Sequence, residues 1–395
     1  MNGTMQVDIS ILGGGIAGLW TAASLTQQGY SVVLIESKAI GGIQTVASQG
    51  IIHGGTKYAL LGNLNESARA IAEMPGIWRA CLAGNGPLDL HKVRVLAQHQ
   101  YLWSTKDFIS QLAGFFASKA MRSRMQPIDP AKHPAPFDTS AFHGHLYQLD
   151  EPVLDVPSLV QVLAKMVEDQ ALHIQPKQLS LDPEQPGRIH CNLANEHITL
   201  ESQRIILTAG KGNTELLKQL GRDHPAMQTR PLHMVILKGK LPPLYAHCLG
   251  AQANPRLTIT SYPVSAEEPI WYIGGQLAEN GVNLSSTQQI ERAKQELQTT
   301  MPWIDFSGMS WHSFMIERAE PRVSSGVRPD SCYLHSDQEI ITAWPTKLAF
   351  APRLATEITE LLQSQGVKPK APLPECLKQL PKPPQAEPPW KELSA

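Results

Sequence analysis

Val7–Glu36 reads VDISILGGGIAGLWTAASLTQQGYSVVLIE, and this stretch decides the fold. Val7 to Leu12 is a short apolar run with β-branched residues, suited to a strand buried on both faces of a parallel sheet. A glycine turn follows. Ile16 to Gln28 then carries Ile16, Leu19, Trp20, Ala23 and Leu25 at the spacing of a helix that packs on a sheet. Gly29 closes that helix as a C′ glycine would. Ser31 to Glu36 is a second buried strand. Strand, turn, helix and strand within about 30 residues make a βαβ unit with its right-handed crossover.

The turn holds Gly13-x-Gly15-x-x-Gly18. The first glycine permits the tight bend, the second lets the backbone approach a pyrophosphate, and the third lets helix and strand pack closely. Ile16 and Ala17 open the helix on whose N-terminus the pyrophosphate rests. Glu36, at the end of the second strand, accepts hydrogen bonds from ribose hydroxyls and disfavours a 2′-phosphate. The turn therefore takes an ADP moiety. The motif alone does not separate NAD from FAD.

Five further segments bear on that choice. They are Ala47-Ser48-Gln49-Gly50-Ile51-Ile52-His53-Gly54-Gly55-Thr56-Lys57-Tyr58, Leu154-Asp155-Val156-Pro157-Ser158-Leu159, Leu207-Thr208-Ala209-Gly210, Gly326-Val327-Arg328-Pro329 and Leu348-Ala349-Phe350-Ala351-Pro352. In this order they resemble the FAD-dependent D-amino-acid oxidase superfamily, with its glycine oxidase, glycerol-3-phosphate dehydrogenase and L-2-hydroxyglutarate dehydrogenase branches. The resemblance runs from residue 7 to about residue 364. It implies FAD as cofactor, held by Gly13, Gly15, Ile16, Ala17, Gly18, Glu36, Ser48, Gly50, Ile52, Ala209, Gly210, Thr346, Lys347 and Leu348. It makes Arg328 the anchor of an anionic substrate, because a guanidinium in an apolar site holds a carboxylate by two parallel hydrogen bonds. His53 becomes a second catalytic candidate, either as proton acceptor or as a histidine that only holds its loop. Tyr58, Tyr262, Tyr272 and His233 are weighed as substrate-side residues against plain packing. At the last helix, expected from Lys347 to Gln363, the N–H groups of Thr346, Lys347 and Leu348 would face the flavin pyrimidine edge. Two departures stand out. Lys211-Gly212 replaces the Trp that often follows the Ala-Ala-Gly strand end, and Trp344-Pro345-Thr346 replaces the His and Gly found before the last helix.

The whole chain agrees with a globular enzyme. It has 395 residues, 42% hydrophobic and 17% charged, with a net charge of -1. No basic excess exists for nucleic-acid binding, and no stretch suits a membrane span, although peripheral membrane contact stays open. The five cysteines, Cys81, Cys191, Cys248, Cys332 and Cys376, are scattered without a Cys-x-x-Cys pair. That argues for a reducing, cytoplasmic location and against a structural metal site. His143-Gly144-His145 reads as a loop, and no metal is expected.

The fold class expected is α/β. A Rossmann-like FAD-binding domain with a doubly wound sheet takes residues 1–85, 145–220 and 325–365. A second, mixed or antiparallel β-sheet substrate domain takes 86–144 and 221–324. Residues 366–395 form a proline-rich tail lying along the body. The activity expected is hydride transfer to flavin N5 from the C–H of a small anionic amino acid, amine or 2-hydroxy acid. Dioxygen or a quinone-type carrier would reoxidise the flavin. The rival reading is a flavoprotein whose FAD is structural or redox-sensing and which acts as an interaction protein.

Overall fold

The computed structural model describes residues 2–55, 66–105, 125–193, 196–250, 254–263, 269–323, 329, 331–370 and 372–391. In chain order these form β1 (Asn2–Leu12), α1 (Ile16–Gln27), β2 (Val32–Glu36), α2 (Glu66–Leu82), β3 (Val95–Ala97), β4 (Gln100–Ser104), β5 (Met125–Pro127), β6 (His145–Leu149), β7 (Val153–Leu154), α3 (Val156–Met166) and β8 (Ala171–His173). There follow β9 (Leu179–Leu181), β10 (Arg188–Leu193), β11 (Glu196–Leu207), α4 (Asn213–Gln219), β12 (Met227–Lys238), β13 (Ala246–Cys248), β14 (Leu257–Tyr262), β15 (Ile270–Gly274), α5 (Gln276–Asn280), α6 (Ser286–Thr300), β16 (Ser310–Pro321), β17 (Tyr333–Asp337), β18 (Ile340–Trp344) and α7 (Ala351–Ser364).

The first sheet has the order β17-β18-β11-β1-β2-β8, with the β9–β10 hairpin paired onto β11. Its centre is parallel: β1 runs with β2 and β11, β11 with β18, and β2 with β8. Such strands are covered on both faces and read as unbroken apolar runs. Helices α1, α2, α3 and α7 bury Trp20, Trp78, Leu163 and Ile358 against one face. Leu217 of α4 and Leu377 of the tail close the other. Helix α1 ends as expected, with Gly29 at φ +88 and the Tyr30 N–H donating to the Leu25 carbonyl.

Two expectations about element bounds are corrected. Strand β1 begins at Asn2, not Val7, because its polar first half pairs with β11 from His197 onward, and pairing of that kind leaves no apolar signal. The last α-helix begins at Ala351, not Lys347. Lys347 is extended (φ -139, ψ 148) and is followed by a 3-10 turn over Leu348–Phe350.

The second sheet has the order β16-β12-β15-β14-β13-β4-β6-β5 and is antiparallel except where β13 pairs with β4. Helix α6 covers it, burying Leu297 against Trp103, Val235 and Trp271. The chain after α7 runs back over the body. Tyr30 donates to the Val367 carbonyl, the His173 N–H to Pro381, and Ile40 and Pro384 share a backbone bond. Trp390 ends this path, stacked on Tyr262 with ring centroids 4.0 Å apart. No helix among the described residues is long and apolar enough to cross a membrane.

Candidate active site

The glycine turn separates three physical demands. Gly13 has φ +111, and a Cβ there would lie 2.5 Å from the Ala209 Cα. Gly18 faces the Gly13 carbonyl so closely that no Cβ fits between them. Both glycines are therefore required by the protein's own packing. Gly15 is different. Its φ of -74 suits any residue, and the nearest neighbour of an added Cβ would be Thr45 Oγ1 at 3.4 Å. Among the described residues nothing demands glycine there, so the open space fits a group that approaches the backbone from outside. It lies at the positive end of α1, whose first turn holds no acidic residue, and so suits an anionic group.

Glu36 stands at the end of β2. Its carboxylate accepts from the Gly14 N–H and the Lys38 N–H, both at 2.7 Å, and so is held beside the turn where ribose hydroxyls would lie. Across the turn, Thr208 Oγ1 donates to the Gly13 carbonyl at 2.9 Å, which ties Ala209 and Gly210 to the same place. Trp344 Nε1 donates to the Gly210 carbonyl at 3.2 Å. Gly13, Gly15, Ile16, Ala17, Gly18, Glu36, Ala209 and Gly210 thus converge on one turn. Thr45, which the sequence reading missed, caps α1 by accepting from the Ile16 N–H at 3.0 Å.

The Ser48–His53 segment bridges the two sheets. Ser48 bonds back to the Thr45 carbonyl, and Gly50, at φ +70, packs against the Leu154 carbonyl. Ile52 is fully buried in the core of the first sheet, so its backbone, not its side chain, is what can face a cofactor. Tyr272 and Tyr262 donate to the Ala47 and Ser48 carbonyls at 2.8 and 3.4 Å, and Gln49 Nε2 donates to the Tyr272 carbonyl at 2.9 Å. Both tyrosines are buried, and burial pushes their hydroxyls well above the usual range. They fasten the segment to the second sheet. His233 is likewise buried and bonded at both ring nitrogens, to the Gly281 carbonyl and Ser313 Oγ. Beside the segment, Ile43, Val46, Ala47, Phe314 and Met315 line a groove of about 380 Å³.

His53 lies at the end of this segment in company the sequence reading did not find. Its Nδ1 is 3.5 Å from Glu151 Oε2, and its ring stacks on His247 with centroids 5.8 Å apart. Donor and acceptor atoms of the three residues all lie within 4.8 Å of one another. Glu151 Oε1 also accepts from the Gly54 N–H at 2.7 Å, and Oε2 from Gln100 Nε2 at 3.3 Å. Burial raises the Glu151 carboxyl, but its bond to His53, the two histidine charges and the Gly54 N–H outweigh this and hold it below the usual carboxylate range. Burial, aided by the His53 charge, pushes His247 down to about 4. Glu151 follows Asp150 in a polar turn and carries no sequence signal of such a role.

Near the last helix, Thr346 has φ +59, and the Lys347 N–H turns back to the Pro345 carbonyl at 2.6 Å. The Lys347 amide is therefore engaged within the chain, which corrects the expectation of three amides in a row facing outward. Arg328 and Tyr58 lie outside the described residues.

The chain is similar to known proteins along its whole length. A family model described as FAD dependent oxidoreductase matches residues 8–338. The probable FAD-dependent oxidoreductase PA4991 of Pseudomonas aeruginosa is 45% identical over 389 residues, 98% of each chain. The crystal structure of that FAD-dependent oxidoreductase superposes with a TM-score of 0.85 at 40% identity and covers all of both chains. Glycine oxidase from Geobacillus kaustophilus shares the fold with a TM-score of 0.65 at 12% identity, covering 91% of this chain and 95% of that one. L-alpha-glycerophosphate oxidase from Mycoplasma pneumoniae, solved with FAD bound, does so with a TM-score of 0.63 at 14% identity, covering 94% and 99%.

Proposed function

The chain belongs to the family of FAD-dependent oxidoreductases, and from that premise we propose that it oxidises a small anionic metabolite at a C–H bond bearing an amino or hydroxyl group. FAD, when bound, supplies the acceptor for the hydride at its N5. The residues proposed to hold it are the Gly13–Gly18 turn, Glu36, the backbone of Ser48, Gly50 and Ile52, Ala209 and Gly210, and the Thr346–Leu348 corner.

The observation that carries the substrate class is His53 beside the Ser48–Ile52 segment. Oxidation of such a bond releases a proton from the substrate's hydroxyl or ammonium group, and His53 is the group offered to take it. Arg328 is proposed to hold the substrate's anionic end, on the strength of its Gly-x-Arg-Pro context. The groove at Ile43 and Met315, both exposed, with Glu317 and Glu387 also in its lining, is proposed as the approach for dioxygen or a quinone-type carrier.

Anaerobic bleaching of the bound flavin tests this reading. The panel comprises amino acids, N-methyl amino acids, 2-hydroxy acids and glycerol phosphate. At least one anionic member should reduce the flavin within seconds to minutes. A panel in which none does so leaves the structural or redox-sensing role instead.

A further inference from the structure

From the arrangement around His53 we infer that Glu151 is a positioning residue, which holds the His53 ring through Nδ1 so that the opposite nitrogen receives and keeps the substrate's proton. This deepens the proposed role of His53 and rests on that reading. It assigns functions to Glu151 and His247, neither of which the sequence pattern marks.

The geometry comes first. One carboxylate grips two adjacent places on the chain, the Gly54 N–H through Oε1 and the His53 ring through Oε2. Backbone and side chain of the His53–Gly54 corner are therefore fixed by the same group. With Nδ1 turned to the carboxylate, Nε2 is left for a substrate, the logic by which a buried acid sets the tautomer and orientation of a catalytic imidazole. The Glu151 side chain is 4% exposed and that of His53 is 41% exposed, so His53 is the member of the group that a small molecule can reach.

The electrostatics then decide where a proton stays. Glu151, His53 and His247 act on one another here. Glu151 remains a carboxylate despite its burial, since Gly54, Gln100 and His53 all supply donors or charge. His247 is buried and disfavours charge, and its Nδ1 is engaged with Thr258 Oγ1 at 2.9 Å. His53 Nε2 is thus the position the geometry offers to the proton. The proton leaves the substrate's O–H or N–H, the bonding pair stays on that oxygen or nitrogen, and the N–H bond forms at His53 Nε2. Glu151 gains and loses nothing in this step. His247 lies against one face of the ring without competing for the proton.

The test uses holoenzyme labelled with 13C,15N-histidine, with the His53 signal assigned from its loss in His53→Asn. Glu151→Gln keeps the size and the acceptor for Gly54 but removes the charge. We expect the His53 titration midpoint to fall by about one pH unit or more, roughly a tenfold loss of proton affinity. Glu151→Asp should give an intermediate midpoint, and it serves as the decisive variant if Glu151→Gln loses its fold. A midpoint within about 0.3 unit of wild type in the variant that folds overturns the proposal. So does stoichiometric zinc binding by the wild-type holoenzyme that abolishes the His53 titration. Flavin bleaching is read separately. A shifted midpoint with no reducing substrate refutes the proposed oxidation and leaves the placement of the proton standing. Reduction with an unshifted midpoint does the reverse.

Discussion

The carbonyl oxygen of Gly13 occupies the space that a Cβ on Gly18 would need, so the first and third glycines of the turn are locked to each other. Gly15, between them, is free of any such demand. The two kinds of glycine should part company in experiment. Gly18→Ala should destabilise the fold by roughly 3 kcal/mol or more, because backbone must move, and should lower the melting temperature with or without FAD. Gly15→Val should leave the melting temperature of the cofactor-free protein close to wild type and abolish FAD binding. Thermal melts with and without FAD check both outcomes.

Glu36→Ala should weaken FAD binding by roughly 1–3 kcal/mol, about a 5- to 150-fold rise in Kd, since a charged acceptor for ribose hydroxyls disappears. The Gly14 N–H also loses its partner, which loosens the turn itself. Fluorescence titration of the apoprotein with FAD measures the change. An unaltered Kd would make Glu36 a strand end and nothing more.

Acid should loosen the protein through His247. In the folded chain it holds out against protonation down to about 4, while the unfolded chain takes the proton near 6.5. Protons therefore favour unfolding, and the stability present above pH 6.5 is lost as the pH falls towards 4. The loss amounts to roughly 2–4 kcal/mol. Glu151, also held below its ordinary range, adds a loss of the same sign at the acid end. Melting temperatures recorded from pH 7.5 to 4.5 should fall steeply in wild type and less steeply in His247→Gln.

Arg328 should separate geometry from charge. Arg328→Lys keeps the charge but would lose the two-pronged hydrogen bonding proposed for the guanidinium, and Arg328→Ala would lose both. Each should cost roughly 2–4 kcal/mol in kcat/KM, about 30- to 1000-fold, with the Ala variant worse. FAD content and melting temperature should barely change. Reduction at the wild-type rate in Arg328→Ala would remove it from the site.

Trp390→Ala should open a cavity among Tyr262, Tyr272 and Phe314, and should cost roughly 2–4 kcal/mol of stability. Because those tyrosines hold the Ala47 and Ser48 carbonyls, FAD affinity should fall as well. Melts and FAD titration of the variant report both effects.

The parts of this molecule that were legible in its sequence are those whose signal is local. The Val7–Glu36 unit announces itself because glycine spacing, apolar runs and a terminal acid all lie within one short stretch, and each survives in the structure. The polar half of β1 and the β9–β10 hairpin were not legible, since their place depends on a neighbour from elsewhere in the chain. The onset of α7 is hidden in the sequence because Thr346 adopts a left-handed conformation that only tertiary packing enforces on a non-glycine residue. Glu151 and His247 were invisible for a related reason. An acid in an Asp150-Glu151 turn reads as solvated, and a histidine in a short strand reads as packing. They become a group only when the β6–β7 turn and β13 are brought to His53.

The parallel ladder β2-β1-β11-β18 also sets the order of events in the birth of the protein. The glycine turn emerges early in synthesis, yet its walls, Ala209 and the Trp344 strand, come from far later in the chain. Such distant pairings pay their loop-closure entropy before they gain contact energy, and chains dominated by them fold slowly. A nascent chain that has made Gly13–Gly18 has therefore not yet made a nucleotide site. The glycine turn is walled only when β1 is joined by β11 and β11 by β18, from far along the chain.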